Sequence, residues 1–411
     1  MARWKTLPLL LLLCSCSKPI PKTVLRTLSG PDPGGAMRGI IYEFERLNPD
    51  IRVECVEGPA STDEREALYA ASFQAQGGVS YDVLQMDIIW VPRFASQGWL
   101  RPLDDFFRLA EQGQFLPGDI VGSRYRGRIY RVPVQSDGGL LYYRKDLLKE
   151  AGIEPPRTFQ ELSEAAARLQ KPPLLWGYVF QGKPYEGLVC NFLEAVWGQG
   201  GVFLGPDNEV RIDGRPAVAA LEWMRALVRD GLAPAEVLSF DEEDARRMFQ
   251  DGRAVFMRNW PYAWSLLHED RSSVKGRVGV VPMVRGPGRG PCAALGGWGF
   301  GISAASKHPE AAWRFIQFVA SPEGQKIAYM TGGIVPTRKE LFLDPDIVRK
   351  SPHYPELFEV LSRAKLRPRH PAYGRMSKAL QVRLGAALAG KEKPEAALKA
   401  AAAEIRGILK N

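Results

Sequence analysis

Residues 256–266 read FMRNWPYAWSL, two tryptophans and a tyrosine around a proline. Trp260 and Trp264 are four apart, as on one helix face, but Pro261 does not suit a helix interior. Such rings either pack in a core or offer a flat face to a ligand. Two carboxylates carry a second kind of chemistry. Asp87 closes the apolar stretch YDVLQMD, where it serves as an N-cap for IIWVPRFASQG, as a ligand contact, or as both. Asp137 stands before two glycines in QSDGGLLYY. As an acid and base pair for glycoside hydrolysis, these two would have to lie roughly 5–10 Å apart. No nucleophile motif of the G-x-S-x-G type accompanies them. Tyr142-Tyr143 offers phenolates to ferric iron, or is a strand with one ring on each side. The four histidines do not pair at ligand spacing, so neither a metal nor a cofactor is expected. GPGRGP lacks the Lys-Ser/Thr ending of a phosphate-binding loop.

The elements that must hold these residues follow from periodicity. TVLRTLSG, IRVECVE and YDVLQMD read as strands, and AMRGIIYEFERLN and EREALYAASFQAQGG as helices between them. This alternation predicts an α/β fold with a parallel sheet, whose ligands bind beyond the carboxyl ends of the strands. GRIYRVPV reads as a further strand, and Thr158 with Glu161 as a capping box. FDEEDARRMFQDGRAVF reads as a helix running into the strand that delivers the aromatic stretch. Trp264 is the aromatic assigned to the core.

With 411 residues, at least two domains are expected. The net charge of +9 comes from basic residues scattered among acidic ones, which points to a solvated surface and not to nucleic acid. Arg3 and Lys5 precede the short run LPLLLLL, too short to span a bilayer, so residues 1–15 read as a secretory signal. LCSC resembles the bacterial lipobox, which makes Cys16 the lipidation site; a plain cleaved signal is the alternative. Cys55, Cys190 and Cys292 do not suggest a disulfide framework, though a single bridge stays open.

Taken in order, EFERLNPDIRV, DVLQMDIIWVPRFASQGWLRPLDD, VPVQSDGGLLYYRKDLLKEAG, FQGKPYEGLVCNFLEAVW, RNWPYAW, LGGWGFGIS and LRPRHPAY resemble the solute-binding proteins of ABC sugar importers, within them the maltose/trehalose-binding group. The resemblance implies a type II periplasmic-binding-protein fold of two α/β lobes, with hinge strands and a sugar in the interlobe cleft. One lobe would comprise 23–134 and 299–338, the other 135–298 and 339–411, after a lipidated linker at 16–22. Crossings are expected near Val134–Asp137, Gly296–Gly299 and Pro336–Leu341. Trp260, Tyr262 and Trp298 would stack on the sugar, and Gly296 and Gly297 would let backbone approach it. Asp87, Asp137 and Arg367 would pair with its hydroxyls, joined by Glu64, Arg65 and Tyr185. Gln135 stands where relatives carry a tyrosine. The resemblance further implies a lipid-anchored, extracytoplasmic monomer that hands an α-linked disaccharide such as trehalose, maltose, sucrose or palatinose to permease subunits. A polyamine or ferric ion is the alternative ligand for the same fold, and a glycoside hydrolase using Asp87 and Asp137 the alternative activity.

Overall fold

The computed structural model describes residues 22–32, 34–75, 81–290 and 292–410; the signal sequence and Cys16 lie outside the described residues. Along the chain, β1 (Thr23–Ser29), α1 (Ala36–Leu47), β2 (Ile51–Glu57), α2 (Thr62–Gln74) and β3 (Val83–Asp87) alternate as their periodicity predicts. Next come β4 (Val132–Pro133), β5 (Asp137–Gly138), β6 (Leu140–Arg144) and β7 (Trp176–Val179), then α3 (Glu186–Gly198), α4 (Glu242–Gln250) and β8 (Ala254–Asn259). The frame is completed by β9 (Val278–Pro282), β10 (Ala294–Gly296), β11 (Trp298–Ile302), β12 (Lys365–Leu366) and α5 (Tyr373–Leu388).

Helix α1 buries Ala36, Ile40 and Phe44, one stripe at a spacing of four, and stops at Asn48 because Pro49 disfavours helical geometry before it. Helix α2 starts where the Ser61 hydroxyl accepts from the Glu64 amide. Strands β1, β2 and β3 are parallel, with β1 between the other two. The sheet is mixed rather than parallel throughout, because β11 enters it antiparallel to both β3 and β4. Its order is β2-β1-β3-β11-β4, and a second sheet runs β9-β6-β8-β7. The expected strand over GRIYRVPV is broken, since its backbone groups serve separate partners. Ile129 accepts from the Leu103 amide at 2.8 Å, and Tyr130 donates to the Ser123 carbonyl at 3.0 Å.

Each large sheet carries its own core. Leu25, Ile40, Phe44 and Val83 pack with Phe300, Phe315 and Ile316 on the first. A core drawn from Leu116, from Leu140 through Ala294 and again from Tyr329 through Ile405 fills the second. Between them, β12, β10 and β5 form a small third sheet from three distant stretches of chain. Beside it, the Ser136 amide donates to Val335 and the Thr337 hydroxyl to Pro133, at 3.1 and 2.9 Å. The thiols of Cys55, Cys190 and Cys292 are free; the latter two are buried, and Cys55 is half-buried beside Ser29.

Candidate functional site

The small sheet and the end of β3 fix the first group of polar side chains. In the antiparallel register, Asp87 lies opposite Trp298, and Asp137 opposite Gly296. Asp87 Oδ1 accepts from the Ile89 amide at 3.1 Å, the cap expected of it, and from Arg367 Nη2 at 3.3 Å. Arg367 follows β12 directly, and its Nη1 donates to Glu186 Oε1 at 2.7 Å. Glu186, in the first turn of α3, also accepts from the Tyr373 hydroxyl at 2.6 Å and from Ser377. Burial raises its pKa, against the pull of Arg367.

Two indoles stand on either side of this group. The Arg65 guanidinium lies 3.9 Å from the centre of the Trp298 ring, and Trp90 meets that ring edge-on at 5.5 Å. Arg65 is pressed so closely on Gly30 that a Cβ there would come within 2.5 Å of it. Burial brings Arg65 down to about 10, with the charges of Asp87 and Glu242 among those opposing the shift. Trp260 is held on several sides. Its Nε1 donates to Glu242 Oε1 at 3.1 Å, its carbonyl accepts from the Tyr142 hydroxyl at 2.9 Å, and the Arg258 guanidinium covers one face at 3.8 Å. The Tyr185 hydroxyl donates to the other oxygen of Glu242 at 2.5 Å. The tip of the Trp260 ring reaches Gly296, where a Cβ would stand 3.5 Å from it. Gly297 has φ +131°, and a Cβ there would lie 2.4 Å from the Gln135 carbonyl, so both backbone and space require glycine.

Asp137 is buried at the centre. Gln135 Nε2 donates to its Oδ2 at 2.9 Å, and among the described residues its Oδ1 has no partner. Burial pushes Asp137 up to about 7, the Gln135 hydrogen bond opposing. A second buried carboxyl, Asp119, accepts from the Ser136 hydroxyl at 2.7 Å and is pushed up to about 6 by burial, with Arg131 opposing.

Asp87, Asp137, Arg367, Gly296, Gly297, Trp298, Arg65, Trp260 and Tyr185 are thus linked through one continuous set of contacts. Tyr262 lies near the same acidic turn, its hydroxyl donating to Glu243 at 2.7 Å and the charge of Glu242 also acting on it. Glu64 is exposed on α2. Trp264 packs against the core of the second sheet, between the rings of His268 and His353, each 4.1 Å away. Sequence reasoning passed over Glu242, Glu186, Arg258 and Asp119. Glu186 lies within the quoted GKPYEG, and Glu242 within FDEEDARR, where acidic residues read simply as a helix start.

A cavity of about 910 Å³ opens beside this set, bounded by Asp63, Glu66 and Arg93 on one side and Glu186, Lys378 and Gln381 on the other. Asp63 accepts from Gln381 at 3.1 Å across it. Neither Trp260 nor Trp298 lines it. Each indole is half-exposed, and they rest on different cores. Among the described residues, no cluster of histidine, cysteine or acidic side chains is arranged to hold a metal ion.

Comparison with known proteins places this architecture. A Deinococcus radiodurans protein described as a probable ABC transporter-binding protein is 33% identical over 366 residues, which cover 87% of this chain and 86% of that one. The maltose-bound MalE3 of T. maritima is 41% identical and superposes with a TM-score of 0.88, over 94% of this chain and all of that one. A solute-binding protein of Agrobacterium radiobacter in complex with ribitol is 26% identical, with a TM-score of 0.84 over 95% of this chain and 100% of its own. The fold is therefore the two-lobed, maltose-binding-protein-like arrangement. The family model described as bacterial extracellular solute-binding protein matches residues 29–326, and the chain belongs to that family.

Proposed function

We propose that the protein binds a sugar between its two lobes and delivers it to the membrane subunits of an ABC importer, the ligand being an α-linked disaccharide such as maltose, trehalose, sucrose or palatinose. The observation that carries this reading is the convergence of Trp260, Trp298, Asp87, Asp137, Arg65 and Arg367 from distant parts of the chain. A sugar has an apolar ring face and a rim of hydroxyls. Indoles suit the first, and carboxylates with fixed guanidinium donors suit the second. The maltose held by the T. maritima neighbour and the ribitol held by the Agrobacterium one are consistent with a polyhydroxylated ligand.

In this reading β5, β10 and β12 mark the hinge between lobes, and ligand contacts from both lobes favour the closed form. Hydrolysis finds less support, because Asp87 already holds Arg367 and the Ile89 amide. The iron reading loses one phenolate, since the Tyr142 hydroxyl is bound to the Trp260 carbonyl. Lipidation of Cys16 would keep the protein at the outer face of a bacterial membrane, where it acts as a monomer, and Cys16→Ser should move it from the membrane fraction to the soluble one.

The test is a thermal-shift screen over maltose, trehalose, sucrose, palatinose, longer glucans and polyols, because a ligand bound only by the folded state raises Tm. A rise with one of these sugars is expected. Silence across all of them, with a response to spermidine or ferric ion, would remove the sugar reading.

A further inference from the structure

Behind Trp260 lies a polar network sealed from solvent. Arg258 has no exposed surface and Glu194 only 1%. Arg258 Nε and Nη2 donate to the two oxygens of Glu194 at 2.9 and 2.6 Å, a bidentate pair, and Nη1 donates to Gln181 Oε1 at 3.2 Å. Gln181 returns a hydrogen bond to the Arg258 carbonyl at 3.0 Å and accepts from Asn191 at 2.9 Å. The guanidinium so fixed lies 3.8 Å from the centre of the Trp260 ring. Glu194 Oε1 also accepts from the amide of Ala294, the first residue of β10, at 3.0 Å. It packs so closely on Gly139, next to β5, that a Cβ there would stand 1.8 Å from it. One buried ion pair therefore touches the indole and both stretches, at β5 and at β10, that lead from a strand of one large sheet to a strand of the other. Packing alone does not require such a pair, since apolar residues of similar volume commonly replace one at no loss of stability.

We propose that Arg258 and Glu194 are positioning residues for ligand binding: the guanidinium backs one face of Trp260 so that the other is presented to the ligand, and Glu194 ties β10 and the Gly139 turn to the same ring. This rests on Trp260 being a ligand contact, as argued above.

The decisive variant is Arg258→Met combined with Glu194→Met, which removes both charges together. It should fold with a urea midpoint lowered only as far as the unpaired Ala294 amide requires, yet bind maltose, trehalose or sucrose about tenfold or more weakly by calorimetry. Adding Trp260→Phe should cost much less affinity in that background than in the parent. Parent-like affinity in the double variant, or an equal cost of Trp260→Phe in both backgrounds, overturns the proposal. Should the double variant fail to fold, Arg258→Lys decides. It keeps the charge but loses the flat stack, and must bind several-fold more weakly; parent-like binding overturns the role. If the parent binds none of the three sugars, the sugar reading itself is at fault. The positioning role then stands or falls on the ligand-free near-ultraviolet circular dichroism band of Trp260, isolated by subtracting the Trp260→Phe spectrum. That band must change in the double variant, and an unchanged band overturns the role.

Discussion

Arg367 Nη2 stands 3.3 Å from Asp87 Oδ1, a contact between residues 280 positions apart in the chain. The same guanidinium neutralises Glu186, so one buried cation serves two buried carboxylates. Arg367→Met would leave both acids without their partner. Breaking a buried pair from one side costs about 3–5 kcal/mol, so the urea midpoint should fall steeply. Arg367→Lys, which keeps a charge but cannot span both acids as a fork, should fall between variant and parent. A loss below about 1 kcal/mol in Arg367→Met would show that the two acids do not depend on this guanidinium.

Arg65 and Trp298 provide a second test. A guanidinium over an indole contributes about 0.5–2 kcal/mol, more where water is excluded. Arg65 is buried, and Trp298 is its stacking partner. Arg65→Ala should therefore weaken ligand binding by about tenfold, and Arg65→Lys by less, with the change in tryptophan fluorescence on binding reduced in both. Calorimetry giving parent affinity for Arg65→Ala would detach this stack from the site.

What could be read from the sequence divides along physical lines. The alternation through β1, α1, β2, α2 and β3 was readable because α1 buries one stripe at helical period and β2 alternates at its start, while β1 and β3, inside the sheet, bury consecutive residues and read as short apolar runs. Asp87 was readable because a carboxylate at the end of a strand has few roles, and it fills the capping one. Glu242 was not readable. Asp241 caps the helix, accepting from the amides of Glu243 and Asp244, and any acid in that first turn fits the helix dipole. Only the tertiary fold turns Glu242 towards Trp260 and Tyr185. Arg258 was hidden for a different reason. It lies within the apolar run of β8, and its partners Glu194 and Gln181 are 64 and 77 positions away. The broken strand at residues 128–133 likewise reflects long-range backbone partners that no local pattern records.

Gly297 offers a test of the linking segment. Its φ of +131° is closed to residues with a side chain, and a Cβ would overlap the Gln135 carbonyl at 2.4 Å. Its carbonyl accepts from the Ile88 amide at 3.1 Å, so a shift there would disturb the turn beyond Asp87. Gly297→Ala should lower stability by about 2 kcal/mol or more in urea denaturation. Gly127→Ala, also at positive φ but with nothing within 4 Å, is the control and should cost less, on the order of 1 kcal/mol.

The pH dependence follows from Asp137, pushed up to about 7 by burial against an ordinary value near 3.9. Between about pH 4 and 7 the folded state then binds a proton that the unfolded chain has released. This group's contribution makes the protein less stable as pH rises through that range, the loss being complete above about pH 7 and on the order of 4 kcal/mol. Asp119, pushed up to about 6, acts in the same direction over a lower range. Asp137→Asn removes the ionisable group, so the fall in urea midpoint between pH 5 and 8 should shrink. Ligand binding should run the other way. Asp137 Oδ1 lacks a partner, and a sugar hydroxyl donating to it favours the carboxylate. Affinity should therefore rise with pH up to about 7 and level off above it, by at most tenfold per unit, with a proton released on binding. Calorimetry with the sugar that answers the thermal screen, run in phosphate and in Tris, measures that proton through the difference in buffer ionisation heat. The release should appear in the parent and be absent in Asp137→Asn; an equal release in both would assign the proton to a group other than Asp137.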